Sequence, residues 1–203
     1  MTARRDTRAE LLAAATEEFA RHGLPGARVQ AIVGSARVNE RMLYHHFGSK
    51  EGLYRAVLEE AWGALRRDWY PMLEDAAEMP PREGMRHALA GFFDVMWRRR
   101  ALRGLLLHEA WQGFTYRVPA GPEALPPGLR ELYRRGQRAG VFHRDKSFEL
   151  FYCTVVGALA AAPILAGRFT GVLPALAEQT ATEPIRDQMV ALLMDGVCRS
   201  AHG

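Results

Sequence analysis

Two short helical patterns lie close together near the start of the chain, with only Arg37 and Val38 between them. The first pattern covers residues 29–36 and the second covers residues 39–47. Asn39 suits the start of the second helix, because its side-chain oxygen can accept a hydrogen bond from an unpaired N–H of the first turn. Two helices joined by so tight a turn are typical of a helix-turn-helix. We therefore expect residues 39–47 to form its second, recognition helix.

Helical periodicity continues on both sides of this pair. Thr7 stands three residues before Glu10, which predicts a capping box at the start of a first helix, and Gly23 is placed to stop that helix. A long fourth helix is expected to open at Ser49 and to end before Pro80. No run of alternating β-branched residues is long enough to suggest a sheet. The sequence therefore predicts an all-α fold.

The segment VQAIVGSARVNERMLYHHFGSKEGLYRAVLEEAW resembles the signature of the TetR family of transcriptional regulators. The resemblance covers residues 8–62. It implies an N-terminal three-helix helix-turn-helix DNA-binding domain, which we place at 1-50, and a larger α-helical ligand-binding and dimerisation domain at 51-203. The matching positions are Ile32, Ala36, Val38, Leu43, Tyr44, Phe47, Lys50 and Leu53.

Several positions depart from the family pattern. Arg37 stands where the family usually has a glycine in the turn, so either the backbone avoids positive φ or some strain is accepted. Arg41 and Met42 stand where a small residue and a threonine are usual, and the lost hydroxyl removes one phosphate contact. Arg28 and Gln30 begin the second helix, where a threonine cap is more typical. The operator sequence of relatives therefore does not carry over.

A helix in the major groove presents its N-terminal residues to base edges, while flanking donors bind phosphate. By matched position, base contacts are expected from Gln30, Glu40, Arg41 and His45. Phosphate contacts are expected from Tyr44, His46 and Lys50, with Asn39 as the cap of the helix. Arginine pairs with guanine, glutamine pairs with adenine, and glutamate accepts from cytosine. The alternative for His45 and His46 is that they are ordinary surface or semi-buried histidines.

The positive charge of the chain is concentrated in this region. Residues 1–55 hold nine basic and six acidic residues, a net charge of +3, and the whole chain has a formal net charge of +4. Such an excess favours contact with phosphate, although a solvated helical surface could produce it as well. The charge therefore supports DNA binding, but the main argument for it is the helix-turn-helix motif.

Beyond residue 75, apolar helical patterns predict a second core. Large apolar side chains with a few polar ones suit a site for a hydrophobic or aromatic small molecule, and simple core packing is the alternative. The candidate ligand-binding residues are Phe92, Phe93, Met96, Trp97, His108, Trp111, Gln112, Phe114 and Tyr152.

Helices are also expected over residues 147–166 and 182–200, and Pro163 should kink or end the first of them. The family resemblance implies that these two helices pair with their copies in a homodimer. A dimer would present two recognition helices about 34 Å apart to a partly palindromic double-stranded DNA operator. The residues that resemble such a dimer interface are Gly157, Ala158, Ala161, Met189, Leu193 and Val197.

Other classes of protein fit the sequence less well. Cys153 and Cys198 lie in apolar stretches without C-x-x-C spacing, so we expect core thiols and no metal. Residues 1–10 lack the apolar segment of a secretory signal, which predicts a cytoplasmic protein. Residues 150–167 carry no charge but fall short of the ~20 strongly apolar residues that a bilayer needs, so a buried helix is preferred to a membrane span.

No H-E-x-x-H or G-x-S-x-G motif is present, and we expect neither catalytic residues nor a cofactor. The resemblance implies a ligand-responsive regulator, specifically a repressor released from its operator by a small-molecule effector. Two alternatives remain at this point. One is an α-helical enzyme that uses the C-terminal cavity, and the other is an interaction module without sequence-specific DNA binding.

Overall fold

The computed structural model describes residues 6–113, 116, 125–166 and 182–198. Within these ranges the chain forms helices and no strand, and the only β-type pairing found there is an isolated bridge between Phe142 and Cys198. The predicted all-α fold is confirmed. The helices of the described residues are α1 (Thr7–Gly26), α2 (Val29–Ala36), α3 (Glu40–Phe47), α4 (Lys50–Glu78), α5 (Pro81–Arg98), α6 (Arg100–Trp111), α7 (Pro127–Arg138), α8 (Phe148–Ala166) and α9 (Thr182–Val197).

The chain divides into two compact units. The first unit comprises residues 1–64 and 99–118, and the second comprises residues 65–98 and 119–203. The first unit is larger than the predicted helix-turn-helix domain, because it includes the first part of α4, up to Ala64, and because α6 packs into it. Leu105 of α6 is 1% exposed and belongs to the same core as Leu11 of α1 and Leu53 of α4.

The core of the first unit is built from one apolar face of each of its helices. Phe19 of α1 and Tyr54 of α4 meet edge to face, with 4.9 Å between ring centroids. Gly104 lets α6 approach α1, since a Cβ there would lie 2.4 Å from the carbonyl oxygen of Ala20. The largest contributors to this core are Leu11, Phe19, Ile32, Leu43, Leu53, Tyr54, Val57 and Leu105.

The ends of α1 differ in part from expectation. Its N-cap is Asp6 and not Thr7, because the Asp6 carboxylate accepts a hydrogen bond from the N–H of Ala9 at 3.1 Å. Near the other end, Gly23 has φ 62 and interrupts the helical conformation of α1. Glycine adopts a positive φ readily because it has no Cβ. The predicted stop at Gly23 is therefore confirmed, and three more residues follow it before the span ends at Gly26.

The second unit has a separate aromatic core. Trp69 is buried and donates its indole N–H to the carbonyl oxygen of Ala88 at 2.9 Å. Tyr133 of α7 stacks on Phe142 and on Phe151, with ring centroids 5.6 and 5.0 Å apart.

Three smaller predictions concern this part of the chain. Cys198 is buried, but Cys153 is exposed, so the prediction of a core thiol is wrong at Cys153, which lies on the outer side of α8. α8 extends to Ala166, so Pro163 does not end it. Among the described helices, none has both the length and the apolar character to cross a membrane.

Candidate nucleic-acid interface

The helix-turn-helix is held by a few buried side chains and one cap. Ile32 of α2 and Leu43 of α3 are both 0% exposed, and they fix the two helices on the core of the first unit. The side-chain oxygen of Asn39 accepts a hydrogen bond from the N–H of Arg41 at 2.8 Å. The recognition helix therefore begins where the sequence predicts, at a capped first turn.

The turn between the helices accepts backbone strain. Arg37 has φ 54 and ψ 43, the left-handed conformation that glycine adopts at little cost. Its N–H donates to the carbonyl oxygen of Gly34 at 3.2 Å, and the N–H of Val38 donates to that of Val33 at 3.1 Å. These bonds satisfy two of the last four carbonyls of α2. Of the two alternatives for Arg37, positive φ with strain is the one the chain adopts.

The predicted DNA-contact residues lie on α2, on α3 and its N-cap, and at the start of α4, and this surface of the first unit is called the recognition face below. The exposed side chains among them are those of Gln30, Asn39, Arg41, Tyr44, His45 and His46, while Glu40 and Lys50 are half-buried. Polar side chains of both donor and acceptor type are thus available to base edges and phosphates. Their individual contacts with DNA remain predictions.

Glu40 joins the two helices of the motif through hydrogen bonds. The side-chain amide of Gln30 on α2 donates to Glu40 Oε2 at 2.6 Å, and the hydroxyl of Tyr44 donates to Glu40 Oε1 at 3.1 Å. The hydrogen bond to this carboxylate is the main cause that raises the pKa of the Tyr44 phenol. Gln30, Glu40 and Tyr44 are called the reading triad below. The sequence named all three residues, but their connection depends on the packing of α2 against α3.

The start of α4 carries Lys50, one of the predicted phosphate contacts, behind a side-chain cap. The hydroxyl of Ser49 accepts a hydrogen bond from the N–H of Gly52 at 3.0 Å, and Lys50 is the first residue of the helix. The backbone N–H of Glu51 and then the Ser49 hydroxyl lower the pKa of the Glu51 carboxyl. Ser49 and Glu51 thus satisfy N–H groups of the first turn of α4, and the phosphate contact of Lys50 remains a prediction.

A buried polar pair lies behind the face and was not predicted. Glu109 of α6 is 0% exposed, and its Oε1 accepts a hydrogen bond from the hydroxyl of Tyr54 at 2.7 Å. Tyr116 packs edge to face on Tyr54, with centroids 5.2 Å apart. Burial, followed by the bond to Glu109, raises the pKa of Tyr54. The signal in the sequence was a single acid at helical spacing from Leu105 in an otherwise apolar stretch.

The predicted ligand-binding residues are distributed over both units. Phe92, Phe93 and Met96 are buried in the second unit, where Trp97 and Tyr152 are half-buried. Three others belong to α6 or its end in the first unit: His108 and Gln112 are half-buried, whereas Trp111 is 92% exposed. Phe114 lies outside the described residues. A role in ligand binding stays a prediction for this set.

A concave site of a different character occurs in the second unit. It has a volume of about 290 Å³ and lies between α7 and the start of α8. None of the predicted ligand residues lines it. Its lining residues are Arg130, Arg134, Gln137, Arg144, Asp145, Lys146, Ser147, Phe148 and Glu149.

The helices expected to form the dimer interface carry exposed apolar side chains. Leu150 and Leu165 on α8 are 68% and 52% exposed, and Leu192 on α9 is 73% exposed. Of the residues named from the sequence, Gly157 is exposed, and Val197 is buried within the chain itself at 2%. The half-buried ones are Ala158, Ala161, Met189 and Leu193. Their part in an interface remains a prediction.

Comparison with known proteins gives consistent results. Residues 11–57 match the model of the bacterial regulatory proteins of the tetR family. The chain is 31% identical over 144 residues to the transcriptional repressor NicS of Pseudomonas putida, covering 68% of this chain and 67% of that protein. It is 44% identical over 143 residues to the transcriptional repressor SCO4008 of Streptomyces coelicolor, with 66% and 67% covered.

A solved structure agrees with these matches over nearly the whole length. The transcriptional regulator SCO4942 of Streptomyces coelicolor superposes with a TM-score of 0.67 and 26% identity, covering 96% of this chain and 100% of that one. The family consists of transcriptional regulators and not of enzymes. The helix-turn-helix, its capped recognition helix and these matches together show that the chain belongs to the TetR family of bacterial transcriptional regulators.

Proposed function

We propose that this chain is a transcriptional repressor that binds an operator through the helix-turn-helix and leaves it when a hydrophobic or aromatic small molecule binds. The observation that carries the proposal is the exposed polar face formed by α2, α3 and the start of α4 on a rigid apolar core. The two relatives described above as repressors support the direction of regulation.

DNA binding is tested with Lys50→Ala. Removing one phosphate contact should weaken binding to operator and random duplexes alike, and should reduce the slope of log affinity against log salt by about 1. Fluorescence anisotropy with the DNA upstream of the gene measures both quantities. Arg86→Ala removes the same charge from an exposed position on α5 in the second unit and serves as the control. A Lys50→Ala protein with unchanged affinity and slope contradicts the phosphate assignment.

The proposed effector class follows from the buried aromatic and thioether side chains of the second unit. Phe92, Phe93 and Met96 offer an apolar environment that an aromatic compound would share. Since α4 extends from Lys50 to Glu78, it contributes residues to both units and is the proposed route by which ligand binding changes the recognition helices. The charged pocket between α7 and α8 suits an acidic ligand instead, and a panel containing both classes separates them.

Reciprocal coupling gives a sharp test of this mechanism. If a ligand weakens operator binding by a given factor, the operator must weaken ligand binding by the same factor. Titration with the aromatic probe 8-anilinonaphthalene-1-sulfonate, with and without saturating operator, compares the two affinities. Equal probe affinity in both titrations contradicts release by a compound that binds where the probe binds.

The operator is proposed to be partly palindromic and to bind a homodimer. A two-fold dimer places two recognition helices one helical turn apart, about 34 Å, so half-sites should be separated by about 10 base pairs. Inserting five base pairs between the half-sites should abolish specific binding while leaving each half-site intact.

A further inference from the structure

We infer that Glu40 determines the base preference of this protein, because its carboxylate holds Gln30 and Tyr44 in one preorganised reading surface that favours amino-bearing base edges. The inference rests on the proposed DNA-binding function and assigns the selectivity of that face to one residue.

The triad connects two helices through one side chain. Gln30 is ten residues before Glu40, so their 2.6 Å hydrogen bond joins α2 to α3. Tyr44 follows Glu40 by four residues, and its 3.1 Å bond spans one turn of α3. Each carboxylate oxygen of Glu40 accepts one of these donors. The triad is therefore built before any DNA arrives.

A carboxylate on this face has an electrostatic cost for binding any duplex. The approaching phosphates are negative, so Glu40 reduces affinity irrespective of sequence. Besides joining α2 to α3, Glu40 therefore benefits binding through selectivity and not through affinity. Each carboxylate oxygen can accept two hydrogen bonds, and so Glu40 keeps acceptor capacity after Gln30 and Tyr44 are bound.

That remaining capacity discriminates between bases. The amino group of cytosine can donate to Glu40, whereas the major-groove acceptors of guanine and the O4 of thymine meet a negative charge. Selectivity by Glu40 thus comes mainly from repulsion of the wrong base edge. Glu40 lowers the affinity for sequences with that edge and does not raise the affinity for the preferred sequence.

The bond to Glu40 also fixes the orientation of the Gln30 amide. One of its two N–H groups is directed to Glu40, which leaves the carbonyl oxygen and the second N–H for DNA. These are the acceptor and donor with which a glutamine pairs with adenine. Without Glu40, the amide could turn and present the opposite pattern.

Tyr44 has a changed role under this inference. Its hydroxyl proton is donated to Glu40 and is not directed outward. Tyr44→Phe should therefore reduce discrimination between sequences more than it reduces affinity for random DNA. A plain phosphate contact would lower both affinities by the same factor.

The central test compares Glu40→Gln with wild type on operator and random duplexes of equal length. Glutamine keeps the size and one acceptor but removes the charge. We expect tighter binding to random DNA and an operator-to-random affinity ratio reduced about tenfold, the size of one good base contact. Glu17→Gln makes the same charge change on the exposed side of α1 and should keep the wild-type ratio.

A double-mutant cycle tests the positioning itself. If Glu40 acts through Gln30, the effects of Gln30→Ala and Glu40→Gln on the ratio are not additive. Selection of bound sequences from a random pool should also show that Glu40→Gln loses the preference for amino-bearing edges. Additive effects, or an unchanged preference, contradict the inference.

The proposed function and the inference fail in different ways. Wild-type protein that does not distinguish operator from random DNA contradicts the proposed function, and the inference falls with it. Wild-type protein that does distinguish them, with a Glu40→Gln variant that retains the full ratio, contradicts the inference alone. Circular dichroism melting curves of the Glu40→Gln and Glu17→Gln proteins verify that the helices are intact.

Discussion

Two residues of this protein, Arg37 and Glu109, are in energetically unfavourable states that the surrounding structure stabilises. Arg37 occupies a left-handed conformation that costs an ordinary residue roughly 1–2 kcal/mol. Glu109 is a fully buried acid with one hydrogen bond to Tyr54. Both residues lie in the first unit, and both give predictions about stability.

Arg37→Gly should raise the free energy of unfolding by about 1 kcal/mol, because glycine relieves the positive φ although it also increases the entropy of the unfolded chain. Gly48→Ala is the matched opposite change. Gly48 has φ 75, and an added Cβ would meet only open space, so its alanine variant should lose stability through backbone strain alone. Urea denaturation measures both. A destabilised Arg37→Gly protein contradicts the strain argument.

Tyr54→Phe should lower the free energy of unfolding by about 1–3 kcal/mol, because the buried Glu109 side chain loses the hydroxyl that donates to it. Glu109→Gln keeps a side-chain oxygen that can accept the hydrogen bond of Tyr54, so its cost should be smaller. Chemical denaturation of the two variants provides the comparison. If Tyr54→Phe is as stable as wild type, the hydrogen bond contributes nothing.

Buried tyrosines also predict sensitivity to alkaline pH. Burial raises the pKa of Tyr152 from 10.0 to about 12, and it raises that of Tyr54 as well. The unfolded chain therefore releases these protons at a lower pH than the folded chain. Stability from this source is complete below about pH 10 and falls as the pH rises above it. In denaturation measurements, the free energy of unfolding of Tyr152→Phe should fall less steeply between pH 10 and 12 than that of the wild type. An unchanged slope contradicts the raised pKa of Tyr152.

At the level of the elements, the recognition helix is short and depends on its cap. α3 has only eight residues, too few to be stable in isolation. It is held by Leu43 below and by Asn39 at its start. The same dependence on packing applies to α6, which approaches α1 closely at Gly104.

Asn39→Ala should lower the free energy of unfolding by about 1 kcal/mol, because the first turn of α3 loses its capping oxygen. Operator affinity should fall with it, since the first turn carries Glu40 and Arg41. Asn39→Ser is the control, because serine restores the cap without adding charge to the face. Thermal melting and anisotropy together give the two effects. Equal behaviour of the alanine and serine variants contradicts a capping role.

For the whole molecule, the exposed apolar residues of α8 and α9 indicate association of two chains. Leu150, Leu165 and Leu192 would remain in water in a monomer. Gly157 has open space around it within the chain, which leaves room for a neighbouring helix. A two-fold arrangement would bury the same surface on both copies.

Leu192→Glu should weaken the dimer at least about tenfold, because a charge is placed in an apolar contact. Leu107→Glu introduces the same charge at a 44% exposed leucine of α6 and should leave association unchanged. Sedimentation velocity over a concentration series measures both. A Leu192→Glu protein that stays as dimeric as wild type places the interface elsewhere.

Local signals in the sequence were sufficient for α2, α3 and the helix-turn-helix motif, whereas α7 was not predicted. Apolar spacing, the cap at Asn39 and the two-residue turn depend on neighbours within a few positions, so α2 and α3 were predicted nearly to the residue. The eight DNA-contact candidates followed from position along the chain, and each of them is at least partly exposed. The cap of α1 was misplaced by one residue, since Asp6 and Thr7 are both good caps.

Contacts between distant residues needed the tertiary structure. The bond between Tyr54 and Glu109 joins positions 55 residues apart, and the Gln30 to Glu40 bond depends on the packing of two helices. The membership of α6 in the first unit and the exposure of Cys153 also depend on which faces meet. A periodic pattern shows that a helix has an apolar face, but packing alone determines its partner.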